Sequence, residues 1–198
     1  MSGTYPSTPA PATITIGEAS GSSPLKSISQ SGITFTRFLS RHRWTIKASY
    51  PYLTTDQGRA LRAFVGAQQG GDKFQFIAAS MQPRGVATGT PLVNGAGQTG
   101  YSINTDGWTP SIANIMRAGD IFKLGNHSKV YELAADVSSD ASGQAVLVTT
   151  TPLRMATTDN DIITVRNVPF TVVFDPTPEL PVRSPLLYSV DITMTEEL

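Results

Sequence analysis

Hydrophobic and polar positions alternate most clearly at two places far apart in the chain. Trp44, Ile46 and Ala48 alternate with Arg43, Thr45 and Lys47. Near the other end, Leu186, Tyr188, Val190, Ile192 and Met194 alternate with Ser189, Asp191 and Thr193. Period two marks a half-buried strand. Tyr50-Pro51 is expected to break the first strand. Thr54 or Thr55 then offers a hydroxyl to cap a helix, with Asp56 in its positive first turn. Leu61, Phe64 and Val65 at i, i+3 and i+4 form one apolar stripe. Ala60, Ala63 and Ala67 beside it predict close approach to a sheet. Gly70-Gly71 predicts the stop, and alternation resumes with Phe74 and Phe76. The stretch from Arg43 to Ile77 therefore reads as a helix laid across a sheet, flanked in sequence by two strands.

Elsewhere the pattern is weaker. Thr13–Ile16 and Ile33–Leu39 read as strands. Residues 1–30, rich in Ser, Pro, Thr, Ala and Gly, read as an extended arm ordered by contact with something else. From Gly85 to Arg117 glycines and prolines predict loop, with short strands near Pro91–Val93 and Tyr101–Ile103. Short strands follow at 120–124, 129–134, 144–150, 161–165 and 170–174, spaced by Gly, Asn and Asp as in a small sandwich or barrel. Pro176–Pro181 reads as a linker. The predicted fold is mainly β with one helix: a β-sandwich or split barrel carrying a single α-helix, with an inserted small β-barrel or sandwich module. Its parts are an arm over 1–30, a helix-on-sheet domain from 31–87 and 179–198, and a module over 88–178.

Composition narrows the function classes. The 198 residues are 39% hydrophobic and contain no cysteine, which removes disulfide and thiolate chemistry and fits folding in a reducing cytoplasm. No 18-residue apolar run predicts a membrane span, so no membrane insertion is expected. The first thirty residues lack the pattern of a secretory signal. Net charge is zero, yet residues 1–84 hold nine Lys/Arg against three Asp/Glu, and residues 85–198 hold six against twelve. Such halves could face different partners, or each other across a subunit contact.

Motifs for chemistry are weak. Gly95-Ala-Gly-Gln-Thr-Gly100 matches GxGxxG, but no helix follows to meet phosphates. Asp136 to Gly143 has calcium-like spacing, but its glycine is displaced and Leu147 stands where a bidentate Glu is needed; a hairpin loop is the better reading. His42 and His127 are isolated, and no serine sits in a GxSxG elbow. No catalytic residue, cofactor or metal is expected. Arg37, Arg41, Arg43 and Lys47, interleaved with Phe38 and Trp44, could contact nucleic-acid phosphates; a structural or intersubunit role is favoured.

The run Trp44 … Leu53-Thr-Thr-Asp … Leu61-Arg-Ala-Phe64 … Gly70-Gly71-Asp-Lys-Phe74-Gln-Phe76 resembles tail proteins of long-tailed phages. The later block Gly107-Trp108-Thr-Pro110 … Arg117-Ala-Gly-Asp120 … Lys129-Val-Tyr131 … Asp140-Ala-Ser-Gly143 … Pro152-Leu-Arg154 is similar to phage minor tail and tail-tip proteins. The nearest family in size and layout is the distal tail protein, the baseplate hub at the tail tip. That resemblance implies a non-enzymatic virion component: a homo-oligomeric hexamer ring joining the tail tube protein to other tail-tip proteins and the adsorption apparatus. It also allows passage of DNA through the lumen. The second reading is a receptor- or carbohydrate-binding module, with Trp108, Tyr101 and Tyr131 as stacking platforms.

Overall fold

The computed structural model describes residues 3–19, 25–29, 31–37, 42–68, 71–175, 178 and 188–198. The fold is mainly β, with a single helix among the described residues. The chain divides into two compact units, Met1–Phe74 with Val172–Leu198, and Gln75–Thr171.

The first unit is built on an antiparallel sheet. β1 (Thr13–Ala19) pairs with β4 (Arg43–Leu53) along its whole length, and β4 pairs on its other side with β13 (Tyr188–Glu196). β12 (Pro169–Phe174) and β5 (Phe74–Ile77) complete the five-stranded order β1-β4-β13-β12-β5. The two most regular sequence patterns, over a hundred positions apart, are thus neighbours. Ile46, Ala48, Tyr50, Ile192 and Met194 point to the buried face. A separate hairpin, β2 (Leu25–Ile28) with β3 (Thr34–Arg37), lies between β1 and β4 in sequence; β2 carries no pattern from which it was predicted.

Helix α1 spans Thr55–Ala67. Thr54 is its cap: Gln57 N donates to Thr54 Oγ1 at 3.4 Å, and Thr54 N donates to Gln57 Oε1 at 3.0 Å, closing a capping box. Leu61 and Val65 are buried and Phe64 is half-buried, as the stripe predicts. Ala60, Ala63 and Ala67 are exposed instead, so close approach to the sheet does not depend on them. The helix's last cap is Gln68; Gly70 lies outside the described residues.

Two further expectations are corrected here. Pro51 does not end β4. The register against β13 shifts between Tyr188 and Val190, and Pro51 sits at that irregularity, where a missing N–H breaks no regular ladder. Nor is the described part of residues 1–30 an arm awaiting a partner. Tyr5 is buried, with its ring 5.4 Å from Phe64 edge-on and 6.0 Å from Phe74, and β1 takes the edge that β4 offers.

In the second unit, β6 (Gly89–Val93), β7 (Ser102–Trp108) and β10 (Ala145–Val148) form one antiparallel sheet, β10-β7-β6. β8 (Ile121–Leu124), β9 (Val130–Glu132) and β11 (Ile163–Thr164) form another, β11-β8-β9. The sheets curl around one core, with Val93, Ile103 and Leu147 from the first against Phe122, Leu124, Tyr131 and Ile163 from the second. Their margins meet on both sides through the single bridges Leu92–Ile162 and Leu133–Thr149. Val93 N donates to Asp161 O at 3.0 Å, and Ala134 N to Val148 O at 2.8 Å. The result is barrel-like, and no sheet margin of this unit is left open at those points.

This unit differs from the 88–178 span at both ends. On entry, Arg84 N and Gly85 N donate to Asp120 at 3.0 and 3.3 Å, and Ala87 N to Ile115 O at 2.8 Å. On exit, Val172 to Phe174 pair with Met194 to Glu196, which places the end of β12 in the first unit. The region from Gly85 to Arg117 is also more ordered than its glycines suggest. Gly107 adopts φ +73, and a Cβ there would collide with the Thr90 carbonyl, so glycine is what lets β7 continue beside β6.

Candidate assembly surfaces

Arg43 and Lys47 stand on the outer face of β4, opposite the buried residues. On that face Lys47 lies between Thr15 of β1 and Thr193 of β13, and Ser49 lies between Thr13 and Asp191. Thr45 pairs with Gly17 and Thr195. Across three strands the face is paved with short hydroxyl side chains and a few charges.

One of those charges, Arg43, is matched within the unit. Arg43 Nη1 lies 3.2 Å from Glu197 Oε2, and Lys73 Nζ 3.9 Å from Glu197 Oε1. Glu196 is buried, and its Oε2 accepts from Trp44 N at 3.3 Å. The acidic end of the chain thus folds onto its basic beginning. Over the sequence ranges of the two units, the first holds nine Lys/Arg against eight Asp/Glu, and the second six against seven. The expected division into a basic and an acidic half is a property of the sequence order that antiparallel pairing cancels.

Of the basic cluster, Arg43 and Lys47 share β4. Arg37 lies on β3, in a hairpin that is not part of the five-stranded sheet; Phe38 and Arg41 lie outside the described residues. The His42 ring meets Trp44 edge-on at 4.9 Å, a packing role.

The proposed stacking platforms are also corrected. Trp108 is 3% exposed and Tyr131 0%. Trp108 Nε1 donates to Thr105 Oγ1 at 2.7 Å inside the core. Tyr131 Oη bonds His127 Nδ1 at 2.7 Å and accepts from Arg154 N at 3.1 Å. Neither ring offers a face to a ligand. Tyr101 is 54% exposed.

The glycine motif is a fixed loop. Gln98 Nε2 donates to the carbonyls of Asn94 and Gly95 at 2.9 and 2.8 Å, and Asn104 N donates to Gln98 Oε1 at 2.6 Å. Strand β7 follows, not a helix. Asp140 closes its own turn, accepting from Ser142 N and Gln144 N at 2.8 Å each. Among the described residues no group of three or more His, Cys, Asp or Glu could hold a metal ion, and no helix is long and apolar enough to cross a membrane.

Two features escaped the sequence. The buried carboxylate of Asp120 gathers Arg84 N, Gly85 N and Arg117 N, the last at 2.8 Å, and so ties the entry loop to the barrel. An open groove of about 430 Å³ also runs beside β10, lined among others by Asn94, Asn104, Asp136, Asp140, Gln144 and Val146.

Comparison with known families places one of these units. Residues 79–168 match the family model described as distal tail protein pb9, B domain. No curated protein matches the chain.

Proposed function

We propose that the chain, whose residues 79–168 match the distal tail protein B domain, is a structural component of a phage tail and forms a ring at the tail tip. In this reading six copies close the ring, the tail tube protein sits on one side, and other tail-tip proteins and the adsorption apparatus sit on the other. The family match carries the reading. The chain works through contact rather than catalysis, and is made in the host cytoplasm before assembly.

Two surfaces of the first unit suit such a ring. The Thr- and Ser-rich outer face of β1, β4 and β13 suits a water-filled lumen through which DNA passes. Phosphates bind tightly to unmatched Lys and Arg, and here Arg43 is matched by Glu197. The hairpin of β2 and β3 suits a contact between copies, since Ile28 and Ile33 are 71% and 57% exposed at its turn. Ser29 N donates to Ile33 O and Gly32 N to Ser29 O, both at 2.9 Å, which holds that turn in shape. Heterologous contacts of this kind close into a ring or run on as a filament.

Negative-stain imaging of the purified protein tests this directly. Closed rings with an open centre are expected. Filaments or isolated single copies at micromolar concentration would overturn it.

A further inference from the structure

We propose that Asn94 is a deamidation site of this chain and that the Asp159 carboxylate keeps it latent. Asn94-Gly95 is the one Asn-Gly pair in the sequence. The backbone nitrogen that follows an asparagine can attack the side-chain amide, and a glycine there has no Cβ to hinder the approach. Asn94 is exposed where β6 ends, and among the described residues no hydrogen bond holds its side-chain amide. Around Gly95 the loop is open: a Cβ there would meet only Gln98 Nε2, at 3.9 Å.

The reaction consumes only water. Hydroxide takes the Gly95 N–H proton, the nitrogen forms a bond to Asn94 Cγ, and the Cγ–Nδ2 bond breaks. The departing nitrogen takes a proton from water and leaves as ammonia, which returns the hydroxide. Water then opens the five-membered imide at either carbonyl. The product is aspartate at position 94, or isoaspartate, whose backbone is one methylene longer.

The fold opposes the first move. Gly95 N donates to Asp159 Oδ1 at 2.8 Å. A charged carboxylate holds that proton where it is and repels the negative nitrogen that must form next. It is too weak a base to take the proton itself. Asp159 is in turn steadied by Asn160 Nδ2, which donates to Oδ2 at 2.9 Å. The backbone on both sides is tied down as well. Asn94 N donates to Asn104 O at 2.9 Å, Asn94 O accepts from Gln98 Nε2 at 2.9 Å, and Gly95 O accepts from Thr157 Oγ1 at 3.3 Å. Turning the chain to bring the Gly95 nitrogen over Asn94 Cγ would strain these bonds. The fixed glycine loop thus shields the labile pair at its own start.

The test holds the full chain at mildly alkaline pH beside a synthetic peptide of residues 89–98. Peptide mapping by mass spectrometry and an enzymatic isoaspartate assay follow position 94. The folded chain is expected to react about tenfold more slowly than the peptide, or slower still, as fits one hydrogen bond to a charged group. Asp159→Ala, checked for native circular dichroism, is expected to recover most of that difference. Asp159→Asn, which keeps an oxygen acceptor without the charge, is expected to recover part of it. A folded chain that reacts as fast as the peptide, or faster, would overturn the proposal. So would two Asp159 variants that react as slowly as the unsubstituted chain. Where Asp159→Ala does not fold, Asp159→Asn decides alone, and no acceleration in it overturns the proposal. None of these outcomes bears on the ring.

Discussion

The hydroxyls of Tyr5 and Tyr50 are joined by a 2.8 Å hydrogen bond inside the first unit. Tyr5 comes from the segment before β1, and Tyr50 from the middle of β4. The bond therefore fastens the start of the described chain to the sheet. The aromatic rings of Phe64, Phe74 and Phe174 close around it, with Phe74 and Phe174 centred 4.6 Å apart.

This makes the N-terminal segment part of the subunit's own core. Tyr5→Ala is expected to cost about 3 kcal/mol, as for other large-to-small core changes, and Tyr50→Phe about 1–2 kcal/mol for the lost hydrogen bond. Removing residues 1–19 should unfold the first unit, because it deletes β1 as well as Tyr5. Burial pushes the Tyr5 phenol well above its ordinary range and raises Tyr50 too. Their protonated forms are favoured by folding, so this stability is present below the ordinary phenol range near pH 10 and is lost as pH rises above it. Urea unfolding and an ultraviolet pH titration check these points; a truncated protein with an unchanged midpoint would contradict them.

Asp120 should be the most sensitive carboxylate of the second unit. Its buried oxygens serve three backbone N–H groups that have no other acceptor among these bonds. Hydrogen bonds to charged groups contribute about 1.5–3 kcal/mol each before compensation. Asp120→Ala is expected to cost about 3–4 kcal/mol and Asp120→Asn somewhat less, both measured by thermal unfolding. A change below about 1 kcal/mol would mean that water replaces the carboxylate.

His127 gives the second unit a pH dependence. It is buried beside Tyr131, with Lys129, also buried, and Asp161 nearby. Burial lowers its pKa and outweighs the Asp161 charge and the Ala156 carbonyl, which favour the charged form. Arg154 N donates to Tyr131 Oη, which leaves the hydroxyl hydrogen for His127 Nδ1 and suits neutral imidazole. The unfolded chain therefore takes up the proton first as pH falls through about 6.5, and stability declines with it. The melting temperature is expected to fall between about pH 7.5 and 5.5, and His127→Gln should remove that slope. An equal slope in the variant would assign it to other groups.

The second unit is expected to be separable. Its ends enter and leave through β5 and β12, which the first unit's sheet retains. Replacing residues 79–168 with a short Gly/Ser linker should leave a folded, assembling remainder by circular dichroism and light scattering. Loss of the strand signal would show that the two units depend on each other to fold.

What the sequence revealed follows from where the physics is local. β4, α1 and β13 each carry a long regular period, and the Thr54 cap needs only its neighbours. β7 was seen in part, because Asp106 and Gly107 interrupt the alternation before Trp108 and shift its phase. That shift also hid which way Trp108 points. Pro51 looks like a break in the sequence because its tolerance comes from a bulge of β4 against β13, a strand far away in sequence. The +6 and −6 halves misled for the same reason: pairing of β4 with β13 is invisible until the sheet exists. Asp120 reads in the sequence only as the first residue of a strand, since its partners at Arg84 and Gly85 lie more than thirty positions before it. The groove joins residues 94 to 146 and had no local signature.

The central claim is the ring, and the mass of the tag-free protein in solution tests it most directly. With a subunit of 21.1 kDa, six copies weigh about 127 kDa by multi-angle light scattering if heterologous contacts close as proposed. A single species of that mass at micromolar concentration, matched by a six-fold layer at the tail tip in images of native virions, is the expected result. A strict monomer that is also absent from any symmetric layer at the tail tip would contradict the account.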